Sequence, residues 1–164
     1  MAESSSQQKC NKVWKALWQL WIPQVEKVCF WRACHDILPT RDRLFRRKVI
    51  SDPSCPICGL EAETIAHILW HCPLAQDVWS GGCTKFQKSS YSDQEFLQIA
   101  ESMLEKCDVE EFQTFVMVTR RIWLRRNEFM YEGAFSPPGA IIKQAETVIK
   151  DYNQAQSGEM LRGF

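Results

Sequence analysis

The sequence predicts a mostly α-helical domain that carries a zinc-stapled knuckle and runs on into a helical extension. Three observations predict it. Apolar residues recur at intervals of three and four from Val13 to Ile149. No stretch alternates apolar and polar residues as a half-buried strand does. Cys55-Pro56-Ile57-Cys58, His67 and Cys72 form a C-x2-C-x8-H-x4-C array, the donor set of a closed tetrahedral zinc site.

Residues 1–8 are polar and predict a disordered tail. A tryptophan-rich amphipathic helix follows from Lys9 to Trp21, with Val13, Trp14, Leu17, Trp18, Leu20 and Trp21 at helical spacing, and Pro23 ends it. The pattern resumes from Val25 to Ile37, where Val28, Cys29, Trp31, Ala33 and Ile37 are the expected core contacts. Pro39 pushes Leu38 out of helical geometry, and Thr40 is placed to cap a short basic helix through Arg41, Arg43, Leu44, Phe45, Arg46, Arg47 and Lys48.

The Cys-Pro-Ile-Cys turn comes next, and Gly59 gives it backbone freedom. Thr64 to His71 predicts a helix with Glu61 and Glu63 near its positive end, stopped at Cys72 by Pro73. Leu74, Val78 and Trp79 add one helical turn before Gly81-Gly82. Three further helices are expected: Asp93 to Lys106 with Phe96, Ile99, Met103 and Leu104 inward; Glu110 to Tyr131, ended by Gly133; and one opened by Pro138 through Ile149.

At 164 residues the chain suits one domain with an extension, and 45% apolar residues with seven tryptophans suffice for a core. Lys+Arg and Asp+Glu both number 20, so whole-molecule charge attracts no polyanion and any such partner must use a local patch. No apolar run resembles a signal peptide or a membrane span, so the expectation is an intracellular protein of nucleus or cytoplasm with no membrane contact. Cys10, Cys29, Cys34, Cys83 and Cys107 lie among apolar neighbours and read as reduced buried thiols.

The metal ligands expected are Cys55, Cys58, His67 and Cys72, with Zn2+ as the ion. A redox pair is the rival for Cys-x-x-Cys, but it belongs beside a βαβ pattern that this chain lacks. His71 is an alternative to Cys72, being one helical turn beyond His67; thiolate preference and Pro73 favour Cys72. His35 reads as a surface or capping histidine. Three thiolates and an imidazole leave no open coordination position, so no catalysis is expected. Arg41, Arg43, Arg46, Arg47 and Lys48 form the candidate nucleic-acid contact, and Trp70 or Trp79 would offer stacking faces if exposed. Arg120, Arg121, Arg125 and Arg126 are expected to spread over a solvated helix surface.

Phe30-Trp31-Arg32-Ala33, Leu38-Pro39-Thr40-Arg41-Asp42-Arg43-Leu44, Cys55-Pro56-Ile57-Cys58, Glu63, His67, Cys72-Pro73 and Trp79 together resemble the reverse-transcriptase zinc-binding domain (zf-RVT). That domain occurs in polyproteins of plant LINE-type non-LTR retrotransposons, between the polymerase and a ribonuclease H domain. The helix Arg121 to Phe129 is similar to the Trp-x-x-Arg-Asn helix that follows it. The sequence has no Tyr-x-Asp-Asp-like polymerase motif and no strand-rich stretch with nuclease carboxylates. The resemblance therefore implies a fragment, or a gene derived from one, with a tail over 1–8, the zinc-binding domain over 9–80 and a helical extension over 92–160. It implies a non-catalytic module that holds nucleic acid, either RNA or single-stranded DNA. The alternative is a structural or protein-interaction domain with a protein partner.

Overall fold

The computed structural model describes residues 5–86 and 94–162. The helices are α1 (Ser5–Gln19), α2 (Gln24–Cys34), α3 (Arg41–Arg46), α4 (Pro73–Ser80), α5 (Phe96–Lys106), α6 (Val109–Glu132) and α7 (Pro138–Arg162). A π turn, His67–His71, precedes α4, and a 3-10 turn, Thr84–Phe86, follows it. Among the described residues the only β pairing is the isolated bridge between Ser54 and Ala62, so the mostly helical class holds. Residues 5–8 of the expected tail are helical, because α1 opens at Ser5; residues 1–4, and positions 92 and 93 of the expected extension, lie outside the described residues.

The sequence signals explain most of the boundaries. Thr40 caps α3 by accepting the Arg43 N–H, and Pro73 sits in the first turn of α4. Asp108 and Glu111 form a reciprocal capping box at the start of α6, and Gly133 ends that helix at φ 72. Two expectations fail on α1 and α2. Trp18, Trp21 and Ile37 are exposed, whereas α2 turns Glu26, Phe30, Ala33 and Cys34 inward. Glu26 can be buried because Arg120 meets it at 3.0 Å and Arg121 adds a second contact.

Phe115 of α6 is the hub of the core. Its ring lies 5.8 Å from Phe30 of α2, 6.1 Å from Phe96 of α5 and 5.1 Å from Trp79 of α4. Trp70 of the π turn is 6.1 Å away and Phe86 5.9 Å. Rings at these separations and tilts gain beyond simple area burial. Helix α6 is thus the central element of the core, covered in turn by α7 through Ile141 and Ala145, both fully buried.

The second basic cluster is a correction to the sequence reading. Arg120 and Arg121 bind Glu26; Arg125 donates to the Leu74 carbonyl at 2.9 Å and lies over Phe135; Arg126 grips Glu63. Four arginines on one long helix reach three acceptors in the N-terminal half, Glu26, the Leu74 carbonyl and Glu63, so they pin that half rather than solvate the surface.

Candidate metal centre

The backbone from Asp52 to Glu63 is a tight loop closed by hydrogen bonds between main-chain groups. Cys55 donates its N–H to the Glu61 carbonyl at 2.7 Å, and Gly59 donates to the Cys55 carbonyl at 2.9 Å. Gly59 holds φ 68, a left-handed conformation that a side chain would strain. The turn brings Cys55 and Cys58 to one side, and the Leu60 N–H lies 3.5 Å from the Cys58 sulfur.

The other two donors come from the π turn. Its wide loop bonds the Cys72 N–H to the His67 carbonyl at 2.7 Å, five residues back. On an ordinary α-helix, positions five apart would diverge by about 140°. The wider turn brings them together, and Cys72, extended before Pro73 (φ −56, ψ 132), folds its thiol back toward His67. The Thr64 hydroxyl accepts the His67 N–H at 3.0 Å and fixes the start of the segment.

The donor atoms of Cys55, Cys58, His67 and Cys72 all lie within 4.8 Å of one another. Around a tetrahedral zinc ion, sulfur at about 2.3 Å and nitrogen at about 2.0–2.1 Å would lie about 3.5–3.8 Å apart. The Cys58 sulfur and His67 Nε2 are separated by 3.3 Å. Three soft sulfurs and one imidazole, converged and all buried except the half-buried Cys58, fit Zn2+. His71 takes no part: its Nε2 faces the Gln94 carbonyl at 3.4 Å.

Electrostatics agrees with the crowding. A hydrogen bond with Cys72 and burial push the Cys55 thiol up to about 12, while the same bond holds Cys72 below the ordinary thiol value. Burial works to lower His67, but hydrogen bonds to Cys55 and Cys58 outweigh it and raise His67 to about 9. Such a cluster shares protons until a cation replaces them. His67 Nδ1 is buried without a hydrogen bond, and its nearest acceptor is Glu61 Oε2 at 3.5 Å.

Glu63 joins this loop to its neighbours. Its side chain is fully buried and meets Arg126 by two contacts, 2.6 Å to Nη2 and 2.9 Å to Nε. It also accepts the Arg41 N–H at 2.8 Å, at the positive start of α3. The sequence reading of Glu63 as a first-turn charge of the helix after it is therefore corrected. Glu63 is fully buried while Glu61, two residues earlier, is 73% exposed. Nothing in the spacing alone showed which would be buried.

The five expected nucleic-acid contacts divide. Arg41 donates to the Asp52 carbonyl at 2.9 Å and pairs with its carboxylate, and Arg43 donates to the Asp36 carbonyl. Arg46 pairs with Asp42 at 3.1 Å but remains largely in water. Arg47 and Lys48 are exposed. Trp70 and Trp79 are both 1% exposed, so neither offers a stacking face. All eight cysteines are free thiols; of the five outside the cluster, Cys34 is buried and the others half-buried. His35 is exposed and stacks on Trp31 at 4.1 Å, after the end of α2.

Residues 2–79 match the model of a family described as zinc-binding in reverse transcriptase. No curated protein and no solved structure gives a significant match. The matched segment holds all four candidate ligands. It stops short of α6, although that helix supplies Phe115 and the arginine that binds Glu63. No helix among the described residues is long and apolar enough to cross a membrane.

Proposed function

We propose that the chain is a non-catalytic zinc-binding module derived from the polyprotein of a plant LINE-type non-LTR retrotransposon. It binds nucleic acid, RNA or single-stranded DNA, through the basic turn that leads into the zinc loop. The observation that carries this reading is the convergence of Cys55, Cys58, His67 and Cys72 inside the segment matched by the zinc-binding family. With all four positions of a tetrahedral ion taken by protein, zinc there shapes the fold and has no vacancy for substrate or water.

The nucleic-acid part is supported by position and charge. Arg46 ends α3 and Arg47 and Lys48 follow it toward Asp52, all three exposed, and α3 itself is anchored on Glu63 of the zinc loop. Few phosphate contacts give weak, salt-sensitive and sequence-poor binding, with log affinity falling by about 0.7–0.9 per contact against log salt. Native mass spectrometry should find one zinc per chain. Retardation of single-stranded RNA should occur at low salt and vanish on Arg47→Glu with Lys48→Glu. Folded protein free of zinc, or no retardation by the zinc-loaded protein, overturns the reading.

A protein-docking role is the second reading, and one observation favours it. Trp18, Trp21 and Val25 are 42%, 56% and 53% exposed around the corner between α1 and α2. On that reading Trp21→Ser weakens association with a protein partner, and the charge reversals leave it intact.

A further inference from the structure

The turn that ends α3 carries an aromatic ring among its cations. Phe45 is 43% exposed, whereas Phe30, Phe86, Phe112, Phe115, Trp70 and Trp79 are all fully buried. Phe45, Arg46, Lys48, Val49, Ile50 and Ser51 line one open groove. Arg47 is exposed next to it, and among the described residues the side chains of Arg47 and Lys48 make no hydrogen bond or ion pair.

The backbone gives an independent sign. Lys48 has φ 60. Its N–H bonds the Phe45 carbonyl at 2.9 Å and the Val49 N–H bonds the Leu44 carbonyl at 2.9 Å. This pair of bonds ends a helix on a left-handed residue, a place that glycine fills without strain, as Gly133 does after α6. A lysine there is strained and serves folding less well than glycine. Asp36 ends α2 with the same pair of bonds at φ 56, so this chain twice sets a charged residue where glycine would be unstrained.

We propose that Phe45 is a base-stacking platform for an unpaired nucleic-acid strand whose phosphates are held by Arg46, Arg47 and Lys48. The proposal rests on the nucleic-acid reading above and sharpens it. A ring at the surface stacks on a base whose face is open, and the bases of a duplex are closed to it. The same cations would attract an acidic peptide, but such a chain presents no flat face to Phe45.

The test measures binding of the full zinc-loaded chain to labelled oligouridine and to a duplex RNA. Phe45→Ala should weaken oligouridine binding about 5- to 150-fold and leave the salt slope unchanged, since no phosphate contact is lost. Phe45→Trp should restore binding. Lys48→Gly should raise the thermal midpoint, yet weaken binding and flatten the salt slope by about 0.7. If Arg47→Glu abolishes binding while Phe45→Ala does nothing, stacking is overturned and the nucleic-acid reading stands. If the wild-type chain binds neither RNA, both fail. Duplex bound as tightly as oligouridine, or an acidic peptide bound more tightly than either, overturns the proposal. So does Lys48→Gly with an unchanged slope.

Discussion

Between Ser51 and Glu63 the only buried side chains are Cys55 and Glu63, a thiol and a carboxylate, and Leu60 is 77% exposed. Around Phe115 the buried side chains are Phe30, Trp70, Trp79, Phe86, Phe96 and Phe112. The first region has little buried apolar surface, so main-chain hydrogen bonds, the ion pairs of Asp52 and Glu63 and, on the proposed reading, a metal ion supply its order. The second needs no metal. They meet along the π turn, where His67 looks into the thiol cluster and Trp70, three residues on, looks into the core.

Zinc removal breaks this comparison most severely. Apparent zinc binding in small finger peptides amounts to about 10–16 kcal/mol, which equals or exceeds a typical domain's whole stability. A strong chelator should erase dispersion of the amide resonances from Asp52 to Ala66, while those of α6 keep theirs because the aromatic core persists. Retained order in the loop after measured zinc release would show that the metal does not hold it.

Phe115→Ala attacks the other region. Truncation of a buried phenylalanine costs about 3–5 kcal/mol, and this ring touches five secondary-structure elements and so leaves a cavity that no single shift can close. The urea midpoint should fall sharply, with one zinc still bound per chain below the lowered transition. Loss of zinc in the still-folded variant would mean that the regions are not separately held.

The two regions also differ in how legible they were. The candidate zinc ligands are declared by local spacing, and Pro73 after Cys72 explains in advance why the chain leaves the helix there. The π turn that unites His67 with Cys72 leaves no such mark, since no residue type or spacing announces a bond five residues back. Helix positions came out well where caps were explicit, as at Thr40 and Gly133. The burial of Glu26, Glu63 and the α6 arginines was not readable, because each pair joins residues far apart in the chain. Periodicity treats charge as surface, and a buried ion pair inverts that rule only once the partner is known.

A smaller test sharpens how the loop is held. His67 Nδ1 is buried and lacks a hydrogen bond, with Glu61 at 3.5 Å the nearest carboxylate. A carboxylate on the far nitrogen of a ligating histidine fixes its tautomer and orientation, and losing one typically costs about 10–100-fold in metal affinity. Glu61 is 73% exposed, which places Glu61→Gln near the low end. Competition against a chromogenic chelator measures it. An unchanged affinity would show that packing and Cys58 alone orient the ring.

The smallest effect belongs to the other region and has a defined pH window. Glu111 accepts the Asp108 N–H and contacts Cys83 and Lys85, and these bonds, led by the one to Asp108, lower its pKa from 4.5 to about 2. A carboxyl whose folded value is depressed adds stability that is complete above its unfolded value and disappears as pH falls through the folded one. The difference in urea midpoint between wild type and Glu111→Gln should therefore be constant above about pH 4.5 and shrink toward zero near pH 2. Acid also releases zinc, but it does so in both proteins, so the difference isolates the cap of α6. A difference that grew on acidification would mean that Glu111 is held in its protonated form, and the capping box would lose its electrostatic part.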